Sequence, residues 1–302
     1  MKLLYIAVHH HKGWGAEHWL SNAFERKKCK VIRYDYRSKR NKLHPWWLIK
    51  HQLATISKQQ KPDAVLIQRA EKMPASIPAL FDCPTIFWST EPLIRRRDTD
   101  TLLRAANAID WFFLHTYTCS KVITEAFPTI SEKSSVLHNA GAIENHMGNN
   151  VRPRLAVFNR NVSDRRRSWL DESADLVEII EGQYGERYFQ ALRESQIAVN
   201  IHFAEASLDD FETGIFEALA SGCAVVTETL NPLDVADMGM EDAVMQVGTP
   251  TELRAAIEHL RDNPKELKQL QRNGQKAMDI NRWDNRAEQI MDKFTEIKNN
   301  EA

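Results

Sequence analysis

The sequence predicts an α/β protein made of two doubly wound, Rossmann-like domains facing a cleft. Three observations carry this. Short apolar runs alternate with helix-patterned stretches along the chain, as βαβ units and parallel sheets require. The alternation stops at a polar stretch of linker composition, GAIENHMGNNVRPR, and then starts again. The length of 302 residues exceeds one typical domain and suits two of roughly 150 each. The boundary is expected near residues 146 to 153, giving domains 1–148 and 149–302.

In the first half, Lys2 to Val8 reads as a strand, too short for a signal-peptide core or a membrane span. The loop HHHKGWG leads into a helix from Ala16 to Arg26, and Val31 to Tyr36 forms the second strand. A helix bearing Trp46 and Trp47 runs from Pro45 to Lys58. DAVLIQ (from Asp63), TIFW (from Thr85) and WFFLH (from Trp111) are short buried strands, and Ser135 to Leu137 is the last of this half. Helices are expected between them, from Asp100 to Ala108 and from Ser120 to Phe127. In LHNAGAIE, Asn139 and Gly141 serve a turn, because both tolerate left-handed backbone.

The second half restarts with the strand LAVF at Leu155, and NRNVSDRRRSW leads into a short helix. A strand follows from Leu176 to Ile180 and a helix from Glu186 to Glu194. The most informative unit comes next: a strand from Ile197 to Ile201, an acidic loop from Glu205 to Glu212, a helix containing FEALASG, and the strand AVVTE. Met245 to Val247 is a final short strand. Thr251 to Leu260, Pro264 to Asn273 and Asp284 to Asn299 read as helices, with apolar residues three and four apart.

Composition narrows the function classes. Hydrophobic content of 43% and charged content of 27% are those of a globular protein, and a net charge of -1 argues against general electrostatic attachment to nucleic acid. Cys29, Cys83, Cys119 and Cys223 are scattered, with no CxxC pair, which fits a reducing cytoplasm rather than a disulfide framework or zinc cluster. A nicotinamide enzyme would need the dinucleotide fingerprint. Gly13 and Gly15 supply only G-x-G, with His18 at the third glycine position, and no P-loop exists. These two glycines are expected to let backbone pass close to a substrate. His9, His10, His11 and His18 lack a companion Cys or Asp at ligand spacing, so no metal site is expected.

In open α/β sheets, ligands bind beyond the carboxyl ends of the strands. Glu205, Asp209, Asp210, Glu212 and Glu217 all fall on that rim in the second half. Ionised carboxylates make strong hydrogen bonds to sugar and ribose hydroxyls. Arg160, Arg165, Arg166 and Arg167 follow the first strand of the same half and suit phosphate. Arg95, Arg96 and Arg97 form a second basic run, read as exposed. Trp14, Trp19, Trp46, Trp47 and Trp88 could stack on a sugar or base, or fill the core.

FEALASGCAVVTE resembles the donor-site element of GT-B glycosyltransferases, and the strand ending in Asn-Ile-His before a Phe-Glu-Ala helix is most similar to the CgeB-like, spore-maturation branch. The resemblance implies a metal-independent transferase that retains anomeric configuration. It would move a sugar from a nucleotide-diphosphate donor, a UDP-sugar first, to a glycan, small-molecule or nucleic-acid acceptor. By that resemblance Glu217 would bind the donor ribose and Asp209 the donor sugar, with Arg160 and one of Arg165 to Arg167 on the phosphates. His202 and Gly214 would lie beside them; Gly214 stands where the branch usually carries Arg. On the acceptor side the resemblance nominates Glu91 of FWSTEP as base or acceptor ligand; the first loop itself offers one of His9 to His11, His11 first, with Gly13 and Gly15, as a cleft loop that could donate to sugar or phosphate. It also implies a last helix that crosses back to the first domain. Two other classes share the fold: a nucleotide-sugar epimerase or hydrolase, and a non-catalytic nucleotide-sugar-binding protein. The oligomeric state is open.

Overall fold

The computed structural model describes residues 1–9, 13–38, 45–69, 73–90, 106–142, 151–203 and 211–300. The chain divides into two units, Met1–His138 together with Trp283–Ala302, and Asn139–Arg282.

The first unit is a parallel sheet of β1 (Lys2–Ala7), β2 (Lys30–Asp35), β3 (Ala64–Gln68), β4 (Thr85–Ser89), β5 (Trp111–Leu114) and β6 (Ser134–Val136), in the order β2-β1-β3-β4-β5-β6. Strands β3 and β4 are buried at every residue, and β1 is buried from Leu3 onward. That is why they read as unbroken apolar runs rather than alternating ones. The described helices are α1 (Ala16–Arg26), α2 (Trp46–Gln60), α3 (Tyr117–Ala126) and the short α4 (Pro128–Ser131). The Thr116 hydroxyl caps α3 by accepting from the Cys119 N–H. Of the helix expected from Asp100 to Ala108, only the single turn Ala106–Ala108 lies within the described residues.

The second unit holds β7 (Arg154–Phe158), α5 (Asp164–Leu170), β8 (Val177–Ile179), α6 (Glu186–Arg193), β9 (Ser195–Asn200), α7 (Thr213–Ala220), β10 (Ala224–Glu228), α8 (Pro232–Asp237), β11 (Val244–Val247), α9 (Pro250–Asp262) and α10 (Pro264–Ala277). Its parallel sheet runs β11-β10-β9-β7-β8. The chain winds from β7 outward to β8 and then crosses back to β9, so the winding reverses between β7 and β9. Such a switch point opens a crevice at the carboxyl ends of the two strands.

Short caps and turns fix these elements. Asn231 and Thr249 cap α8 and α9, each followed by proline at the first helical position. Gly222 turns the chain after α7 at a φ of 79°, a conformation glycine adopts without strain. The Arg152 guanidinium ties that turn to β9, donating to the Ser221 carbonyl at 2.7 Å and the Ser195 carbonyl at 2.6 Å. The expected left-handed turn at Asn139 and Gly141 is not there: neither residue has positive φ. Gly141 is required by close packing instead, since a Cβ would lie 2.8 Å from the Phe216 carbonyl oxygen.

The last helix, α11 (Trp283–Asn300), belongs to the first unit. It buries Trp283, Ala287, Ile290 and Phe294, one apolar stripe at helical spacing, together with Arg286, and lies along α1. Trp283 meets Trp88 edge to face, with ring centroids 6.1 Å apart. Arg26 reaches Asp284 with two hydrogen bonds of 2.7 Å, and the Arg286 Nε donates to the His138 carbonyl at 2.8 Å.

Candidate functional site

The carboxyl ends of β7, β9 and β10 carry a cluster of paired arginines and glutamates. Strand β7 ends at Phe158, so Arg160 projects from the loop immediately beyond it. Its Nη2 donates to Glu217 Oε2 at 3.2 Å, and its Nε lies 3.8 Å from Glu212 Oε2. Glu217 sits in the middle of α7, three residues after Gly214 and so on the same helical face. The Tyr188 hydroxyl, from α6, donates to the same Glu217 oxygen at 2.7 Å. The Arg160 guanidinium also lies over the Tyr188 ring, 5.8 Å from its centroid. Both contacts fall on Oε2, so Glu217 Oε1 keeps its acceptor capacity.

Glu212 occupies the N-cap position of α7, but its carboxylate does not cap the helix. It turns instead to Arg166, whose Nη2 donates to it at 2.9 Å. Arg166 is 3% exposed and is held further by its Nε on the Ile201 carbonyl and its Nη1 on the Asn161 carbonyl. This arginine therefore locks the start of α5 to the end of β9. Arg165 does the same on the other side, with a two-pronged bond to Glu228 at the end of β10 and a bond to the His202 carbonyl. Glu228 in turn accepts the His202 backbone N–H at 2.6 Å, and the His202 Nε2 lies 2.9 Å from the Thr229 carbonyl oxygen.

The cluster thus pairs three guanidinium groups, of Arg160, Arg165 and Arg166, with three carboxylates, of Glu212, Glu217 and Glu228. Its electrostatics follow from burial. Burial pushes the Glu217 carboxyl above its ordinary value, against the pull of Arg160 and the Tyr188 hydroxyl. Burial also raises the Tyr188 phenol well above its usual range and lowers the His202 imidazole. Burial opposes the charge on Arg160 too, but Tyr188, Glu217 and Glu212 together outweigh it and keep the guanidinium cationic.

Of the donor-side residues nominated from sequence, Arg160, Gly214 and Glu217 come together, and Arg165 and His202 meet at Glu228. Arg167 is exposed on α5. Asp209 and Glu91 lie outside the described residues, as does His11. Gly13 and Gly15 have φ values of 71° and 103°, so backbone conformation is what demands glycine there.

Two residues of this site had no role assigned from sequence: Tyr188 lay in a stretch read only as a helix, and Glu228 closed a run read only as a buried strand. A charged residue ending a buried strand at the ligand-binding rim was a usable signal for Glu228. In the first unit, Gln68 had the same kind of signal, as the polar end of DAVLIQ. It accepts from the Tyr5 hydroxyl, and its amide donates to the Thr90 hydroxyl at 3.4 Å. His9 Nε2 lies 3.1 Å from the Tyr5 carbonyl oxygen. Trp88 is fully buried, its indole N–H donating to the Leu137 carbonyl at 3.0 Å, so it belongs to the core. Among the described residues, no three His, Cys, Asp or Glu side chains converge as metal ligands, and no helix is long and apolar enough to cross a membrane.

Comparison with known proteins agrees with this geometry. Residues 148–292 match the family model described as Glycosyl transferase-like. No curated protein matches the chain significantly. Among solved structures, Anabaena Alr3699/HepE in complex with UDP-glucose superposes with a TM-score of 0.71 at 13% identity, covering 98% of this chain and 100% of that one. Sucrose-phosphate synthase from Thermosynechococcus elongatus gives 0.67 at 11% identity, covering 98% of each chain. A trehalose-6-phosphate protein from E. coli bound with UDP-2-fluoro glucose gives 0.67 at 8% identity, covering 97% of this chain and 99% of that one. Residues 148–292 thus resemble a glycosyltransferase domain, and the chain as a whole has the fold of the GT-B glycosyltransferases.

Proposed function

We propose that this protein transfers a sugar from a UDP-sugar to an acceptor, with the second unit holding the donor. The observation that carries the reading is Glu217: a carboxylate at the switch-point crevice, fixed on one oxygen by Arg160 and Tyr188, with the other oxygen ready to accept from ribose hydroxyls. The choice of UDP is supported by the UDP-glucose and UDP-2-fluoro glucose carried by similarly folded proteins. The donor diphosphate would meet Arg160 and the backbone N–H groups at the start of α7, which no side chain caps. Because every guanidinium in the cluster already faces a carboxylate, these N–H groups are a substantial part of what opposes the phosphate charge.

In the same reading, transfer is metal-independent and retaining, with the departing phosphate accepting the acceptor proton, and the setting is cytoplasmic. Asp209 would hold the donor sugar, and Glu91 would serve the acceptor. The CgeB-like affiliation rests on the sequence pattern alone. The test is a thermal-shift panel of UDP, GDP, ADP, TDP and CMP on wild type and Glu217→Ala. A ligand at 100 times its dissociation constant adds about 2.7 kcal/mol. UDP should raise the melting temperature of wild type and leave a folded Glu217→Ala unmoved. Silence from all five at millimolar concentration would overturn the donor assignment. Turnover of UDP-glucose without an acceptor would favour a hydrolase or epimerase instead.

A further inference from the structure

We infer that Tyr188 is a positioning residue of the donor site, holding Glu217 so that one carboxylate oxygen faces the ribose; the inference rests on the donor reading above. Two contacts made by one side chain carry it. The Tyr188 hydroxyl donates to Glu217 Oε2 at 2.7 Å, and its ring carries the Arg160 guanidinium, which reaches the same oxygen at 3.2 Å. A carboxylate on a helix rotates about its terminal bonds unless something pins it. Two donors on a single oxygen fix that rotation and direct Oε1 away from them.

Tyr188 is itself immobile. It is 8% exposed, and Phe189 packs edge to face against it with centroids 5.2 Å apart. Helix α6 buries Tyr188, Phe189, Ala191 and Leu192, the stripe that anchors it on the sheet. The hydroxyl is thus the one polar group that this apolar face sends toward α7. A core position with no role at the site would be served by phenylalanine, with no hydrogen to place. The phenol is also suited to a donor role across the working pH range, because a neutral hydroxyl always carries its proton.

The inference makes a prediction that a purely structural role does not. Tyr188→Phe keeps the ring and removes only the hydroxyl, so its effect on nucleotide binding should depend on whether the nucleotide has ribose hydroxyls. Binding of UDP and of 2′,3′-dideoxy-UDP is measured by calorimetry on wild type, Tyr188→Phe, Glu217→Gln and the double variant, with a melting curve for each. Wild type should prefer UDP to the dideoxy analogue. Tyr188→Phe should weaken UDP about 5-fold, the worth of one hydrogen bond, and leave the analogue unchanged. In the Glu217→Gln background, Tyr188→Phe should add little further loss. Equal weakening of both nucleotides, or no weakening of either, would overturn the role of Tyr188 while leaving the donor site intact. A wild type that binds UDP no better than the analogue would overturn Glu217 as the ribose ligand, and one that binds neither would overturn the donor reading itself.

Discussion

Arg160 lies against the α-carbon of Gly214: a Cβ built there would fall 1.7 Å from its Nη2 and 2.4 Å from its guanidinium carbon. The glycine and the arginine are therefore one device. The helix position carries no side chain, and the cation that reaches Glu217 arrives across it from the loop after β7.

Gly214→Ala tests that pairing. Its backbone has no positive φ, so alanine is conformationally acceptable there. The methyl nevertheless displaces the Arg160 guanidinium from Glu217. The expected outcome is a folded variant whose UDP binding is weakened several-fold. Calorimetry on Gly214→Ala, Arg160→Ala and the double variant would show the two losses to be one and the same. Additive losses would mean that the glycine acts independently of the arginine.

Arg166 and Arg167 are neighbours with opposite roles, and stability separates them. Arg166 is buried with three bonds to the Ile201 carbonyl, the Asn161 carbonyl and Glu212. Its removal leaves those acceptors unmatched, and Arg166→Ala should lose about 3 kcal/mol or more. Arg167 is exposed, and Arg167→Ala should stay within about 0.5 kcal/mol. Urea midpoints at constant slope decide between them.

The contrast also shows where the sequence was legible. Periodicity and apolar runs located β1, β3, β4, β7, β9, β10 and the helices α1, α9, α10 and α11, because burial imposes patterns that a linear reading detects. Rim position marked a group of carboxylates and arginines, and the resemblance of FEALASGCAVVTE to a donor-site element is what picked out Glu217 and Arg160 among them. What could not be read was pairing across elements. Nothing local distinguishes Arg166 from Arg167, or Tyr188 from a core aromatic, until α5, β9, α6 and α7 are packed together. Gly214 looked like a missing contact, when it was the space that another contact occupies.

Helix α11 offers a second contrast, between packing and charge. Phe294 is fully buried in the stripe that α11 contributes to the first unit, and Phe294→Ala should lose about 3–5 kcal/mol. Asp284 makes a two-pronged bond to Arg26, but both side chains are about a third or more exposed. Solvent screens that pair, so Asp284→Ala should lose less than about 1 kcal/mol. Comparable losses in denaturant titrations would mean that the ion pair, not the apolar stripe, holds the helix.

His202 sets a pH dependence whose sign can be derived. It is 3% exposed, and burial lowers its pKa below the ordinary 6.5. Glu228 and Glu212 pull the value up and Arg165 pushes it down, without reversing the effect of burial. In the unfolded chain the ring takes up a proton as pH falls through 6.5, whereas the folded ring resists it. Over that window the unfolded state binds more protons, so stability rises with pH. The contribution is complete above the unfolded value and is lost as pH drops toward the folded one. Urea midpoints should therefore fall as pH drops below 6.5, and fall less steeply in His202→Gln. His18 is lowered by burial in the same direction, so His18→Gln belongs in the series as the comparison. If His202→Gln reproduces the wild-type slope while His18→Gln flattens it, the titrating group lies in the first unit, and His202 is not the proton-sensitive part of the donor site.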